Sequence, residues 1–278
     1  MTYKIIGDSC LDLPKEMKAD PHYQLIPLTL QIDDVQIVDD ETFDQANFIR
    51  LAAKSENCPK SACPSPESFK AAYECEEENI FVITLSEHLS GTYNSAKLAR
   101  DLYIEEHGHK NIAVFSSDSA SAGELLIALR IQELCEAGTA FDEIVKLTTE
   151  FRDHMNTYFV LESLDALKKN GRLTGLQAFF ATALNIKPVM GAEKGVIIKR
   201  DQARGINKAL TTMAKLVEKE AVDPENKILA IAHCNNLERA KLVQNELEKK
   251  LRFKKVFIVD TAGVATLYAS DGGIIVAL

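Results

Sequence analysis

Ile80-Phe81-Val82-Ile83-Thr84-Leu85-Ser86-Glu87-His88-Leu89-Ser90-Gly91-Thr92-Tyr93-Asn94-Ser95-Ala96 is the stretch that decides the fold. It begins as an apolar run rich in β-branched residues, the pattern of a buried parallel strand. It ends in Leu-Ser-Gly-Thr-Tyr-Asn-Ser-Ala and passes into a helical pattern. Hydroxyls and a glycine therefore sit at the carboxyl end of a strand, where a helix starts. Free N–H groups and the helix dipole favour an anion there. Open α/β sheets also take their ligands off the carboxyl ends of their strands.

Outward from this stretch the unit recurs. Tyr3–Gly7 is a short strand running into Asp8-Ser9-Cys10-Leu11-Asp12-Leu13-Pro14, where Asp8 and Ser9 either shape an Asx-type turn or brace a pocket. Leu25–Ile32 and Val35–Val38 flank Asp33-Asp34 like a hairpin. Phe43–Ala53 is helical, and Lys60–Pro66 is a proline-punctuated loop leading to a Ser65 cap with Pro66 at the first helical position. Asn111–Phe115 is a strand ending in Ser116-Ser117-Asp118-Ser119, either a pocket wall or tight helix–sheet packing. Helices follow over Ala120–Cys135 and Phe141–His154. Strand–helix units of this kind imply a parallel sheet.

From Thr157 the order is mixed. Strands are expected at Tyr158–Leu161, Ile186–Met190, Gly195–Lys199, Lys227–His233, Lys255–Asp260 and Gly272–Leu278. Helices are expected at Leu164–Lys169, Leu176–Leu184, Ile206–Val217 and Leu237–Leu251, with a glycine turn over Asn170–Thr174. The expected fold is α/β in two domains. Residues 1–156 form a parallel sheet with flanking helices, 157–278 an α/β domain with a mixed sheet, and the ligand lies in the cleft between them.

The chain has 278 residues, a net charge of −9 and 46% hydrophobic residues, ordinary for a globular protein and unsuited to bulk attraction to nucleic acid. Its six cysteines form no CxxC pair, which points away from zinc. No apolar run reaches the roughly 18 residues of a membrane span, so a reduced, cytoplasmic protein is expected, with at most transient membrane contact. There is no GxxxxGK[ST] or GxGxxG loop, and no cofactor is expected.

Ser90-Gly91-Thr92-Tyr93-Asn94-Ser95-Ala96 resembles the SGTYxSA signature of the DegV family of bacterial fatty-acid-binding proteins. Asp8–Pro14 resembles its DSxxDLP element, Leu164–Arg172 its LxxLxKxGR, Leu184–Pro188 its LxIKP, and Arg204-Gly205 with Lys208-Ala209 its RGxxKAL. Six or so elements in order span the whole chain. The resemblance implies a non-catalytic carrier that binds a long-chain fatty acid and presents its carboxylate to a partner fatty acid kinase. It implies that Ser61 and Ser90 bind the carboxylate, with Gly91 and Thr92 close behind, and that Arg172 steadies a phosphate or contacts the kinase; for Arg172 a surface salt bridge is the plain alternative. Phe159, Leu161, Phe179, Phe180, Leu184 and Ile186 are candidates for the apolar wall.

Two positions depart from the family pattern. Ser61-Ala62 stands where Thr-Ser is usual, keeping one hydroxyl and losing one. Tyr268 falls where a His is usual, and Asp271 where a Pro is usual. Tyr hydrogen-bonds but does not become a cation. The alternative is therefore an orphan lipid- or small-carboxylate-binding protein without kinase coupling. A hydrolase built on Ser90 with His88 or His233 is disfavoured, because Ser90 does not sit in a GxSxG elbow.

Overall fold

The computed structural model describes residues 2–173 and 185–278. Strand β1 (Tyr3–Asp8) leads through a short helix α1 (Lys15–Lys18) to β2 (Tyr23–Ile26), β3 (Thr29–Ile32) and β4 (Val35–Val38). Then come α2 (Gln45–Lys54), β5 (Lys60–Ala62), α3 (Pro66–Tyr73), β6 (Asn79–Thr84), α4 (Thr92–His107), β7 (Asn111–Ser116), α5 (Ala122–Glu136) and α6 (Phe141–Asp153). The later part holds β8 (Thr157–Val160), α7 (Asp165–Lys169), β9 (Ile186–Glu193), β10 (Val196–Arg204), α8 (Ile206–Glu220) and β11 (Ile228–His233). It ends with α9 (Leu237–Glu248), β12 (Lys255–Asp260), α10 (Gly263–Ala269) and β13 (Ile274–Ala277).

Every residue of β6 is buried. The strand is covered on both faces, so its sequence cannot alternate, and Ile-Phe-Val-Ile is the result. It pairs in parallel with β1 on one side and β7 on the other, and β2 adds to β1, giving the order β2-β1-β6-β7. The second sheet runs β10-β9-β8-β13-β11-β12. Only β11 and β12 pair in parallel there, so this sheet is mixed. A small antiparallel sheet has the order β4-β3-β5.

Helix α5 explains how the two large sheets meet. Leu125, Leu126, Ile127 and Ala128 are consecutive and all buried. A helix apolar all round must be covered all round. Its core joins Ile5, Phe81 and Phe115 of the parallel sheet to Ala230, Val259 and Ala277 of the mixed one.

Some expectations from sequence need correction. Leu25–Ile32 is not one arm of a hairpin. The chain leaves the parallel sheet after Ile26, at Pro27, which has no N–H to donate, and re-enters the small sheet as β3. Only β3 and β4 make the hairpin, around Asp33-Asp34. Lys60–Ala62 is a strand rather than loop, with Ser61 opposite Leu30 of β3. Gly263–Ala269, given no element in the reading of the sequence, is a helix with nearly all its residues buried. The helix expected over Leu176–Leu184 lies outside the described residues.

Helix α10 has no side-chain cap of its own. Two carboxylates from the first forty residues take its free N–H groups instead. Asp39 accepts from Gly263 N at 2.6 Å and Val264 N at 2.8 Å, while Asp12 accepts from Ala262 N at 2.6 Å. Ser9 Oγ donates to Asp39 at 2.8 Å and accepts from Leu28 N at 3.0 Å. The Asp39→Ala variant leaves the Gly263 and Val264 N–H groups and the Ser9 hydroxyl without their acceptor and is expected to cost about 3 kcal/mol, read as a lower urea midpoint. A loss under ~1 kcal/mol would mean that α10 is held by packing alone.

Candidate ligand-binding site

The carboxyl end of β6 turns through Ser86 and Ser90 into α4. Ser90 N–H donates to the Ser86 carbonyl at 3.1 Å, which tightens the turn. Ser90 Oγ lies 2.8 Å from Thr92 Oγ1 and accepts from Thr92 N at 3.3 Å. The first free N–H of α4 is therefore partly satisfied by the serine itself. Gly91 is the residue before the helix and makes no side-chain cap.

Ser61 comes to the same place on β5. Asn170 Nδ2 donates to the Pro59 carbonyl at 2.9 Å, tying the loop after α7 to the start of that strand. The Ser61 hydroxyl lies 3.0 Å from the Tyr268 hydroxyl on α10. Arg172 donates through Nε to the Leu89 carbonyl at 3.0 Å and through Nη1 to the Asn170 carbonyl at 2.6 Å. Its guanidinium carbon is 5.6 Å from the centre of the Tyr268 ring, a cation–π contact. Among the described residues it has no carboxylate partner, so the surface salt bridge considered above is not formed.

Ser61, Ser90, Arg172 and Tyr268 all line one cavity. Gly91 and Thr92 are not among its lining residues and stand behind Ser90. The rest of the wall is overwhelmingly apolar, with Leu85, Leu89, Phe159, Leu161, Leu167, Ile197, Val264 and Ile275. Of the wall candidates read from sequence, Phe159 and Leu161 are there; Ile186 is not. Phe179, Phe180 and Leu184 lie outside the described residues. Asp118, Ser119 and Ser121 also line it, but their polar atoms are engaged. Ser119 Oγ lies 2.7 Å from Thr157 Oγ1, Ser121 Oγ donates to Asp12, and Asp118 accepts from Ser116 Oγ at 3.1 Å. Leu85, Leu167, Ile197 and Val264 carry no local signal that separates a cavity wall from ordinary core, and sequence reading missed them.

Neither histidine considered for Ser90 serves it. His233 Nδ1 lies 3.3 Å from Asp260 Oδ1, and Ser90 Oγ is engaged with Thr92. What the arrangement offers is a hollow with neutral hydroxyls and one guanidinium gathered at its polar end. Such a site holds an anionic head on an apolar body.

The family model described as that of an uncharacterised protein of the DegV family matches residues 2–277. The chain belongs to the DegV family. A DegV domain-containing protein of Streptococcus pyogenes serotype M18 is 33% identical, over 99% of this chain and 98% of that one. A DegV family protein of Ruminococcus gnavus ATCC 29149, refined with vaccenic acid, superposes with a TM-score of 0.98 at 50% identity over the full length of both chains. The Streptococcus pneumoniae Fatty Acid Kinase (Fak) B3 protein, loaded with linoleic acid, gives 0.90 at 31% identity, covering 100% of this chain and 99% of that one. These structural neighbours bind fatty acids.

In this DegV protein the loop after β1 is bound up with the site's stability. Asp8 accepts from Cys10 N at 2.9 Å, the Asx turn, and from Leu85 N at 2.7 Å on the cavity wall. Burial pushes the Asp8 and Asp12 carboxyls up from 3.8 to about 7, and main-chain or hydroxyl hydrogen bonds oppose it. Glu124 and Asp39, in the same buried group, are raised in the same direction, again by burial first. A raised carboxyl stays protonated in the folded chain after the unfolded chain has lost its proton. The stabilisation is complete below the unfolded value and is lost as pH rises through about 7. The urea midpoint is therefore expected to fall between roughly pH 4 and 7 and to level off above that, and Asp8→Asn to flatten part of that slope. A midpoint that rises across the window would contradict this assignment.

Proposed function

We propose that this chain is a carrier, not an enzyme: it binds a long-chain fatty acid in the cavity and presents the carboxylate to a partner fatty acid kinase. The observation that carries the reading is the apolar hollow with Ser61, Ser90, Arg172 and Tyr268 gathered at one end. Moving an acyl chain from water into such walls gains ~0.8 kcal/mol per methylene. The tail supplies affinity and the head group supplies orientation.

The carboxylate takes the hydroxyls of Ser61 and Ser90, which now point to Tyr268 and Thr92 and turn to a stronger acceptor. The Gly91–Thr92 segment behind Ser90 holds that hydroxyl in position. Arg172, fixed by two carbonyls and free of a carboxylate among the described residues, supplies positive charge at the mouth. Hydroxyl donors hold an acid without reacting with it, leaving an oxygen open to phosphorylation by the partner. The kinase arm of this reading is supported by the likeness to the pneumococcal Fak B3 protein. Arg172 and Tyr268 are the residues assigned to the phosphate or to the partner.

Tyr268 favours a second reading. A phenol bonded to Ser61 strengthens head-group binding but provides no cation. On that reading the chain binds a lipid or small carboxylate without kinase coupling.

Native mass spectrometry of the protein purified from cells, with extraction of its lipid, is expected to find one fatty acid per chain. The Ser61→Ala, Ser90→Ala double variant removes two charge-assisted hydrogen bonds and should weaken binding by about 100-fold; unchanged occupancy removes the site. Reconstitution with a fatty acid kinase and ATP is expected to yield acyl phosphate. Bound lipid without acyl phosphate, restored by Tyr268→His, favours the second reading.

A further inference from the structure

The β9–β10 hairpin runs past the sheet to which it belongs. β8 pairs with β9 only at Tyr158–Gly191 and Phe159–Met190. Beyond Gly191 the two strands continue as a free ribbon, with Ala192 opposite Ile197 and Glu193 opposite Val196. The other side of β10 has no neighbouring strand in the sheet order. This overhang crosses to the carboxyl end of β6, and both Ala192 and Ile197 face the cavity.

Ile197 packs beside Phe159, Leu161 and Leu167 in the cavity wall, and the tip beyond it has one polar latch. Ser86 Oγ donates to the Gly195 carbonyl at 2.8 Å, the one hydrogen bond from tip to β6 turn among the described residues. Glu193, Lys194 and Val196 are exposed, and only Gly195 between them is buried. Gly195 has φ +76, and a Cβ there would lie 2.5 Å from Ser86 Oγ, 3.0 Å from His88 Cδ2 and 3.1 Å from Asp118 Oδ1. The seat under Gly195 is tight but polar, so water can satisfy its Ser86 and Asp118 side when the two part, while Ile197 leaves an apolar wall that an acyl chain can cover. A two-stranded ribbon with one hydrogen bond and one buried side chain holding its tip belongs to the low-stability end of a structure.

We infer that the overhanging β9–β10 tip is a side gate to the cavity, latched by Ser86 on Gly195, through which an apolar chain enters and leaves. The inference rests on the carrier reading above. Lifting the tip moves Ala192 and Ile197 out of the wall and opens the hollow along its length. The head-group residues stay in place, because Ser61, Ser90, Arg172 and Tyr268 are held by other elements. An acyl chain can then slide in sideways without threading tail-first past the polar mouth.

Stopped-flow mixing with a fluorescent long-chain fatty acid, and its release to excess unlabelled fatty acid, tests the gate. Ser86→Ala removes the latch and is expected to raise both uptake and release rates about fivefold, the worth of one net hydrogen bond, with Kd little changed. Ser86 Oγ also accepts from His88 N, so the loop could shift in that variant. Gly195→Ala unseats the tip from the other side and should have the same effect. Hydrogen exchange should quicken across residues 191–198 in both variants. Uptake by the unaltered protein with rates unmoved in both variants overturns the gate and leaves the carrier reading standing. No uptake by the unaltered protein removes the carrier reading, and the gate with it.

Discussion

Three buried carboxylates organise this molecule. Asp8, Asp12 and Asp39 all come from the first forty residues, and each takes main-chain N–H groups from a distant segment. Asp8 holds the end of β6, while Asp12 and Asp39 hold the start of α10. Those two segments carry Leu85 and Val264, on the cavity wall, and lead to Ser90 and Tyr268 at its polar end. Acidic side chains from the first forty residues thus set the distance between two sides of the cavity. The requirement is strict, because a buried N–H without an acceptor is costly.

The cavity keeps its polar and apolar surfaces apart. Its walls are hydrocarbon, and the hydroxyls within them are already bonded to one another or to carboxylates, as Ser119 with Thr157 and Ser121 with Asp12. Ser61 with Tyr268 and Ser90 with Thr92 are bonded in the same way, but Ser61, Ser90 and Tyr268 are half-buried where Ser119 and Ser121 are fully buried, and the guanidinium of Arg172 lies over the Tyr268 ring. An amphiphile therefore has one orientation in which its tail avoids polar atoms and its head finds donors. Fatty acids bound by structural neighbours as far apart as Ruminococcus gnavus and Streptococcus pneumoniae share that amphiphilic character.

Much of this was legible in the chain. The apolar run Ile80–Ile83 marks a central parallel strand because both of its faces are buried, and Ser65-Pro66 marks a helix start because the cap and the ring suit that geometry. The β5 strand was not legible. Three residues between Pro59 and Pro64 have no period to read, and they pair with β3 because α2 brings them back alongside it. Helix α10 was hidden for a related reason: Gly263–Ala269 has no cap of its own, and its N-terminal donors are served by residues more than 200 positions away.

The sequence by itself determined the parallel sheet, the mixed character of the second half, the family, and the residue types that suit an acid head group. Each depends on local pattern, such as periodicity, turn residues and short motifs, which any chain displays without folding. The tertiary structure alone decided which apolar side chains wall a hollow and which fill the core. It also decided that Ser61 meets Tyr268 and that Arg172 lies over its ring. These are contacts between residues far apart in the chain, fixed by how α5, α10 and the small sheet pack, and no spacing along the sequence encodes a distance across a cavity.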